Sequence, residues 1–159
     1  KDNQSNSSVV IKHIGDSRVY HFSAMTKTWR CITRDHNLLN QLVDEQAAME
    51  NRQADFSEYN QNGMASPMYA LTDCLIADSD LDNNPMPAFE NQTLAASSGD
   101  CLVVCTDGVY DLVPCDEWQG IDKHTDLQEW LKQLRKQIYA SKGRAYDNAT
   151  AILVRFDEH

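Results

Sequence analysis

The chain has 159 residues, 14 of them Lys or Arg against 24 Asp or Glu, for a formal net charge of −10. That balance excludes nucleic acid as the main partner, because phosphate backbones select basic surfaces. No apolar run approaches the ~18 residues of a membrane-spanning helix, so no membrane partner is expected. The length suits a single domain, 1–159, with a sizeable core.

The five cysteines (Cys31, Cys74, Cys101, Cys105 and Cys115) are odd in number and include no paired C-x-x-C motif. Neither a disulfide framework nor a zinc-thiolate site is expected. They read as reduced thiols, mostly buried, in a cytoplasmic protein.

Taken in chain order, residues 1–7 form a polar lead-in, and with no initiating Met a truncated or cleaved product is the expectation. Ser8–Ile14 (SVVIKHI) is β-branched and predicts a strand. Gly15-Asp16-Ser17 breaks it, and Arg18–Phe22 alternates polar and apolar residues as a half-buried second strand. Thr28–Thr33 predicts a third, and the three together suggest an antiparallel meander.

A helix follows, with Leu38, Leu39, Leu42, Val43 and Met49 on one face and Asp35 or His36 at its start. Residues 51–68 predict a surface loop, and 68–76 is an apolar segment of either kind. Asp78–Pro87 has the acids of a calcium loop but neither Gly at its sixth position nor Glu at its twelfth, so it reads as an acidic turn. Phe89–Leu94 and Cys101–Thr106 predict strands. Thr125 and Gln128 suggest a capping box for a helix striped by Leu127, Trp130, Leu131, Leu134 and Ile138, ended by Gly143. Ala149–Phe156 is a last strand.

Three acidic turns share one design. Asp16 lies in GDSR between two strands, Asp107 in TDG at a strand's tip, and Asp147 in DN ahead of a strand. A lone turn Asp ordinarily caps its own backbone. Three at strand ends invite convergence at one edge of a sandwich, where cations would have to neutralise their mutual repulsion. Oxygen-only ligands select hard ions, magnesium or manganese. Such ions lower the pKa of a bound water and hold an anionic phosphoryl group.

The blocks HIGDSRVYHF, ITRDHNLLNQLV, GDCLVVCTDGVYDLV and YDNATAILV, in that order, resemble metal-dependent protein phosphatases of type 2C, especially the compact bacterial members. They span about residues 9 to 156. The resemblance implies an α+β fold: an antiparallel β-sandwich flanked by helices, four-layered αββα, incomplete in this chain. It implies hydrolysis of phosphoserine and phosphothreonine in proteins that a Ser/Thr kinase has modified, by water activated on Mg2+ or Mn2+.

By position, Asp107 and Asp147 match two ligands of the family's catalytic two-ion centre. Asp16, with Asp107 and Asp111, matches positions associated with a third, weaker ion. His36 matches the T-x-D-H block and is expected to order a turn rather than catalyse. Arg18 is expected to form a structural ion pair rather than to grip phosphate.

One departure matters most. The family's early D-G-x-G-G motif, whose aspartate bridges both ions, is absent; the only Asp-Gly is Asp107-Gly108. Alone, the chain is expected to be inactive; a further reading has the absent segment supplied by another copy, a partner chain or a disordered remnant. The rival expectation is a non-catalytic binding or regulatory module on the same scaffold.

Overall fold

Apolar residues alternate along the strands so that each strand presents one row of side chains to each face of its sheet. The computed structural model describes residues 7–53, 66–74, 89–141 and 147–157. It divides into two compact units: Lys1–Ile11, Ser17–Thr33 and Asn91–His159 form the first, Lys12–Asp16 and Arg34–Glu90 the second. The elements are strands β1 (Ser7–His13), β2 (Arg18–Ser23) and β3 (Thr28–Cys31), helix α1 (Leu38–Met49), strands β4 (Glu90–Ala96) and β5 (Cys101–Cys105), helices α2 (Asp107–Tyr110) and α3 (Leu127–Ala140), and strand β6 (Ala151–Arg155). This is a mixed α+β fold with antiparallel pairing, as the sequence suggested.

The main sheet runs β3-β2-β5-β6, and every pair in it is antiparallel. The expected β1–β2–β3 meander is not what forms. β2 has only two edges, taken by β3 and β5, so β1 pairs instead with β4 in a separate two-stranded sheet. Only β2 and β3 keep the hairpin, with Lys27 at φ 58° in its turn.

In β2, Val19, Tyr20, His21 and Phe22 are all buried, so both faces of this strand are covered. One row, Tyr20 and Phe22 with Cys101, Val103 and Cys105 of β5, joins Val109, Val113, Trp118, Ile121, Trp130 and Leu134 in the core of the first unit. The other row packs Val19 and Leu102 against Ile11 and Leu94. Aromatic rings dominate the larger core: Trp118 meets Trp29 at 5.3 Å and Tyr20 at 4.8 Å, both edge-on, between ring centroids. The indole N–H groups of Trp29 and Trp130 both donate to the Gln119 carbonyl, at 3.1 and 3.0 Å, and that of Trp118 to the Val113 carbonyl at 2.9 Å. Each ring thus buries its apolar body without leaving its donor unsatisfied.

α3 buries Trp130 and Leu134 of the expected stripe. Its cap is Asp126, whose Oδ1 accepts the Gln128 and Glu129 N–H groups. The Thr125 capping box does not form because the Thr125 hydroxyl is engaged with Asp122, as acceptor of its N–H and donor to its carboxylate. Gly143 lies outside the described residues.

Beneath the β2–β3 turn, His21 Nε2 lies 3.0 Å from Asp100 Oδ2, with both side chains 7% exposed. Burial alone would raise the Asp100 pKa, but the N–H groups of Ser97 and Ala24, together with His21, hold it below its ordinary value.

In the second unit, α1 begins at neither Asp35 nor His36. Asn37 caps it, Oδ1 accepting the Asn40 N–H at 2.9 Å. Its buried face is Leu39, Asn40, Val43 and Ala47; Leu42 and Met49 of the expected stripe are exposed. Ser66–Tyr69 forms a 3-10 turn, and Leu71 bridges to Asn37. The acidic turn 78–87 lies outside the described residues.

None of the five cysteines is in a disulfide, but only Cys101 and Cys105 are buried; Cys115 is intermediate, and Cys31 and Cys74 are exposed. The expectation of mostly buried thiols fails at Cys31, at the end of β3, and at Cys74.

Candidate metal centre

At the tip of β5 the chain turns sharply from strand into the four-residue helix α2. Thr106 fixes the turn to the segment ahead of β6. Its N–H donates to the Thr150 carbonyl, and its Oγ1 donates to the Asn148 carbonyl and accepts from the Thr150 N–H, each at 3.1 Å. This clamp presses Gly108 against Asn148. A Cβ on Gly108 would lie 2.7 Å from the Asn148 carbonyl oxygen and 2.9 Å from its carbon, so a larger residue would have to push backbone apart.

Asp107 and Asp147 therefore stand one residue either side of a backbone–backbone contact. Asp107, half-buried, opens α2, and its Oδ1 accepts the Gly108 N–H at 2.8 Å. Asp147 is exposed, and its Oδ1 accepts the Asn148 N–H at 2.6 Å. Asp147 also lines a cleft of about 450 Å³ with Val109, Leu131, Arg135, Ile138 and Tyr139. Asp111 caps the C-terminus of α2, its N–H donating to the Asp107 carbonyl at 3.0 Å. Asp16 sits in the second unit, after Gly15 at φ 92°, and is half-buried.

Arg18 stacks its guanidinium 3.8 Å over the Tyr110 ring and reaches the Tyr20 hydroxyl at 3.4 Å. His36 orders a turn, as expected: its N–H donates to the Gly15 carbonyl at 2.9 Å, and its Nδ1 accepts the Gly15 N–H at 3.1 Å.

Among the described residues, one group of three His, Cys, Asp or Glu side chains has its ligand atoms within 4.8 Å of one another: His13, His36 and Glu90. The sequence reading missed it. Its members are 23 and 54 residues apart and share no motif spacing, so only the pairing of β1 with β4 could have revealed them.

The fold is that of PPM-type serine/threonine phosphatases. Three solved structures carry the comparison. The serine/threonine phosphatase of S. agalactiae matches with a TM-score of 0.68 and 21% identity over 95% of this chain and 55% of its own. Stp1 of Staphylococcus aureus matches with 0.66 and 22%, over 97% and 53%. The catalytic domain of PstP, solved with two manganese ions, matches with 0.55 and 19%, over 99% and 56%. The chain thus spans about half the length of these structures. The sequence matches no family model, and no curated protein resembles it significantly.

Proposed function

We propose that the chain is the C-terminal portion of a phosphatase-like catalytic domain and supplies one side of a divalent-cation centre that hydrolyses phosphoserine and phosphothreonine in proteins. The observation that supports this is the Gly108–Asn148 contact between the residues that directly follow Asp107 and Asp147, on a fold shared with serine/threonine phosphatases. The donor set fits Mg2+ or Mn2+. Both side chains offer oxygen only, and in each the following N–H holds one carboxylate oxygen, leaving the second for a ligand. Asp111, at the C-terminus of α2, is the proposed additional ligand, toward a third ion.

When bound, the cations would lower the pKa of a coordinated water and offset phosphoryl charge. The chain's own part is placement: the clamp of Thr106 and the rigidity of β5 hold the Asp107 carboxylate in one position. A thiol route has no support from the neighbouring cysteines. Burial pushes the Cys105 thiol up to about 12 and the Cys101 thiol up to about 11, so neither is a thiolate at neutral pH. The substrates on this reading are phosphoproteins made by a Ser/Thr kinase, in the cytoplasm; no helix among the described residues is long and apolar enough to cross a membrane.

The test pairs manganese calorimetry on the chain with hydrolysis of a phosphoserine peptide by the longer protein, each repeated with Asp107→Asn. Manganese affinity and turnover should each fall about 100-fold or more. Unchanged values would overturn the reading.

A second reading has its own observation. Val104 of β5 and its register partner Ile152 of β6 are 40% and 58% exposed, and Val154, further along β6, is 44% exposed. Among the described residues β6 is the outermost strand of its sheet, and an apolar row beside such an edge invites a covering strand. On this reading the chain is a non-catalytic binding or regulatory module. It predicts weak or no manganese binding by the isolated chain.

A further inference from the structure

We infer that His13, His36 and Glu90 form a second cation site, distinct in chemistry from the carboxylates of Asp107 and Asp147, and that it takes zinc. His13 ends β1 and Glu90 begins β4, two strands that pair with each other, and their ligand atoms lie close together. His36 arrives from the segment ahead of α1 and is held on both sides: its N–H donates to the Gly15 carbonyl and its carbonyl accepts the Thr72 N–H at 3.0 Å.

All three ligand atoms lie within 4.8 Å of one another, and His36 Nε2 is 4.0 Å from Glu90 Oε1. A tetrahedral zinc ion spaces its ligand atoms about 3.3 Å apart, so the set must close by up to about 1.5 Å as a ring reorients. The donors decide the ion. Two imidazoles and one carboxylate suit zinc, whereas magnesium and manganese prefer oxygen.

In the present arrangement His36 Nδ1 accepts the Gly15 N–H at 3.1 Å, which in a neutral ring leaves the proton on Nε2. Zinc binding at Nε2 therefore requires the other tautomer, in which Nδ1 donates instead to the Gly15 carbonyl oxygen, 3.3 Å away. Access exists as well. His36 and Glu90 line a polar cavity of about 380 Å³ whose walls carry Asp35, Asp44 and Asp73, and its cation Arg34 is already bound by Asp44. Three protein ligands would leave the fourth position open to this cavity.

The present rings are stacked, with centroids 5.0 Å apart and planes 23° from parallel. Lone pairs lie in the ring planes, and two nearly parallel planes do not meet at one ion. Zinc binding must therefore turn one ring out of the stack, which provides a spectroscopic signature.

The experiment is zinc calorimetry on the metal-stripped 159-residue chain, followed by NMR of the histidine rings and by the visible spectrum with cobalt in place of zinc. One equivalent of zinc should bind with micromolar or tighter affinity, shift the His13 and His36 ring signals, and give cobalt a tetrahedral spectrum. Glu90→Gln, which keeps the side chain's shape, should weaken binding by at least the ~10–100-fold that loss of even an outer-shell partner causes. Asp107→Asn should leave it unchanged. Circular dichroism checks the fold of each variant, and if Glu90→Gln does not fold, the ring shifts of the unaltered chain decide. Absence of zinc binding overturns the inference, as does binding that leaves the ring signals unmoved, persists in folded Glu90→Gln, or disappears in Asp107→Asn.

Discussion

The two compact units are held by different forces. The first rests on apolar burial: three tryptophans, Tyr20 and Phe22 interlock over β2 and β5. The second rests more on directed hydrogen bonds. Asn37 caps α1, Asn40 Nδ2 donates to the Asp35 carbonyl, Arg34 donates to the Asn40 carbonyl, the His36 N–H donates to the Gly15 carbonyl, and the Gly15 N–H donates to His36 Nδ1. The difference bears on the two candidate cation sites. Asp107 is placed by a strand locked into a dense core, so its position is nearly invariant. His36 is placed by hydrogen bonds that can be exchanged for others at modest cost, so its ring can be redirected.

The comparison can be broken most severely in the first unit. Trp118→Ala removes the ring that meets Trp29, Trp130 and Tyr20 and leaves the Val113 carbonyl without its indole donor; a loss of about 3–5 kcal/mol is expected in urea unfolding. Next comes Asp100→Ala, which strands His21 in the buried pair and should cost about 3 kcal/mol near neutral pH. The pH dependence has a definite sign. Asp100 is held below its ordinary value in the folded state, so its contribution is complete above the unfolded value of about 4 and disappears as pH falls through the lower native value. The gap in melting temperature between the unaltered chain and Asp100→Ala should therefore narrow only in that acid range. The smallest effect sharpens the contrast: Asn37→Ala should cost about 1 kcal/mol and speed amide exchange in the first turn of α1, while exchange in β5 stays unchanged.

Local chemistry made much of this legible in the sequence. β-Branched and apolar runs marked the strands, and the 3.6-residue period marked α3. The Asp107-Gly108 turn stood out because a short acid followed by glycine interrupts an apolar run, and the structure supplies the reason for the glycine in Asn148. What stayed hidden depended on competition between distant segments. β1 has the alternation of any half-buried strand, and nothing in Val9, Ile11 or His13 says that β5 will occupy the edge of β2 first. Both helix caps shifted for a similar reason. Thr125 is a good cap by type but was already committed to Asp122, and Asp126 took the position. The group of His13, His36 and Glu90 belongs to the same class, since it exists only once β4 lies beside β1.

The sharing of one carbonyl by two indoles has a practical consequence. Trp29 and Trp130 converge on Gln119 with ring centroids 5.5 Å apart, and Trp118 lies edge-on to both. Chromophores this close exchange excitation, so the chain carries its own optical gauge. Ultraviolet circular dichroism and fluorescence will register any loosening of β3 from α3 without an added dye.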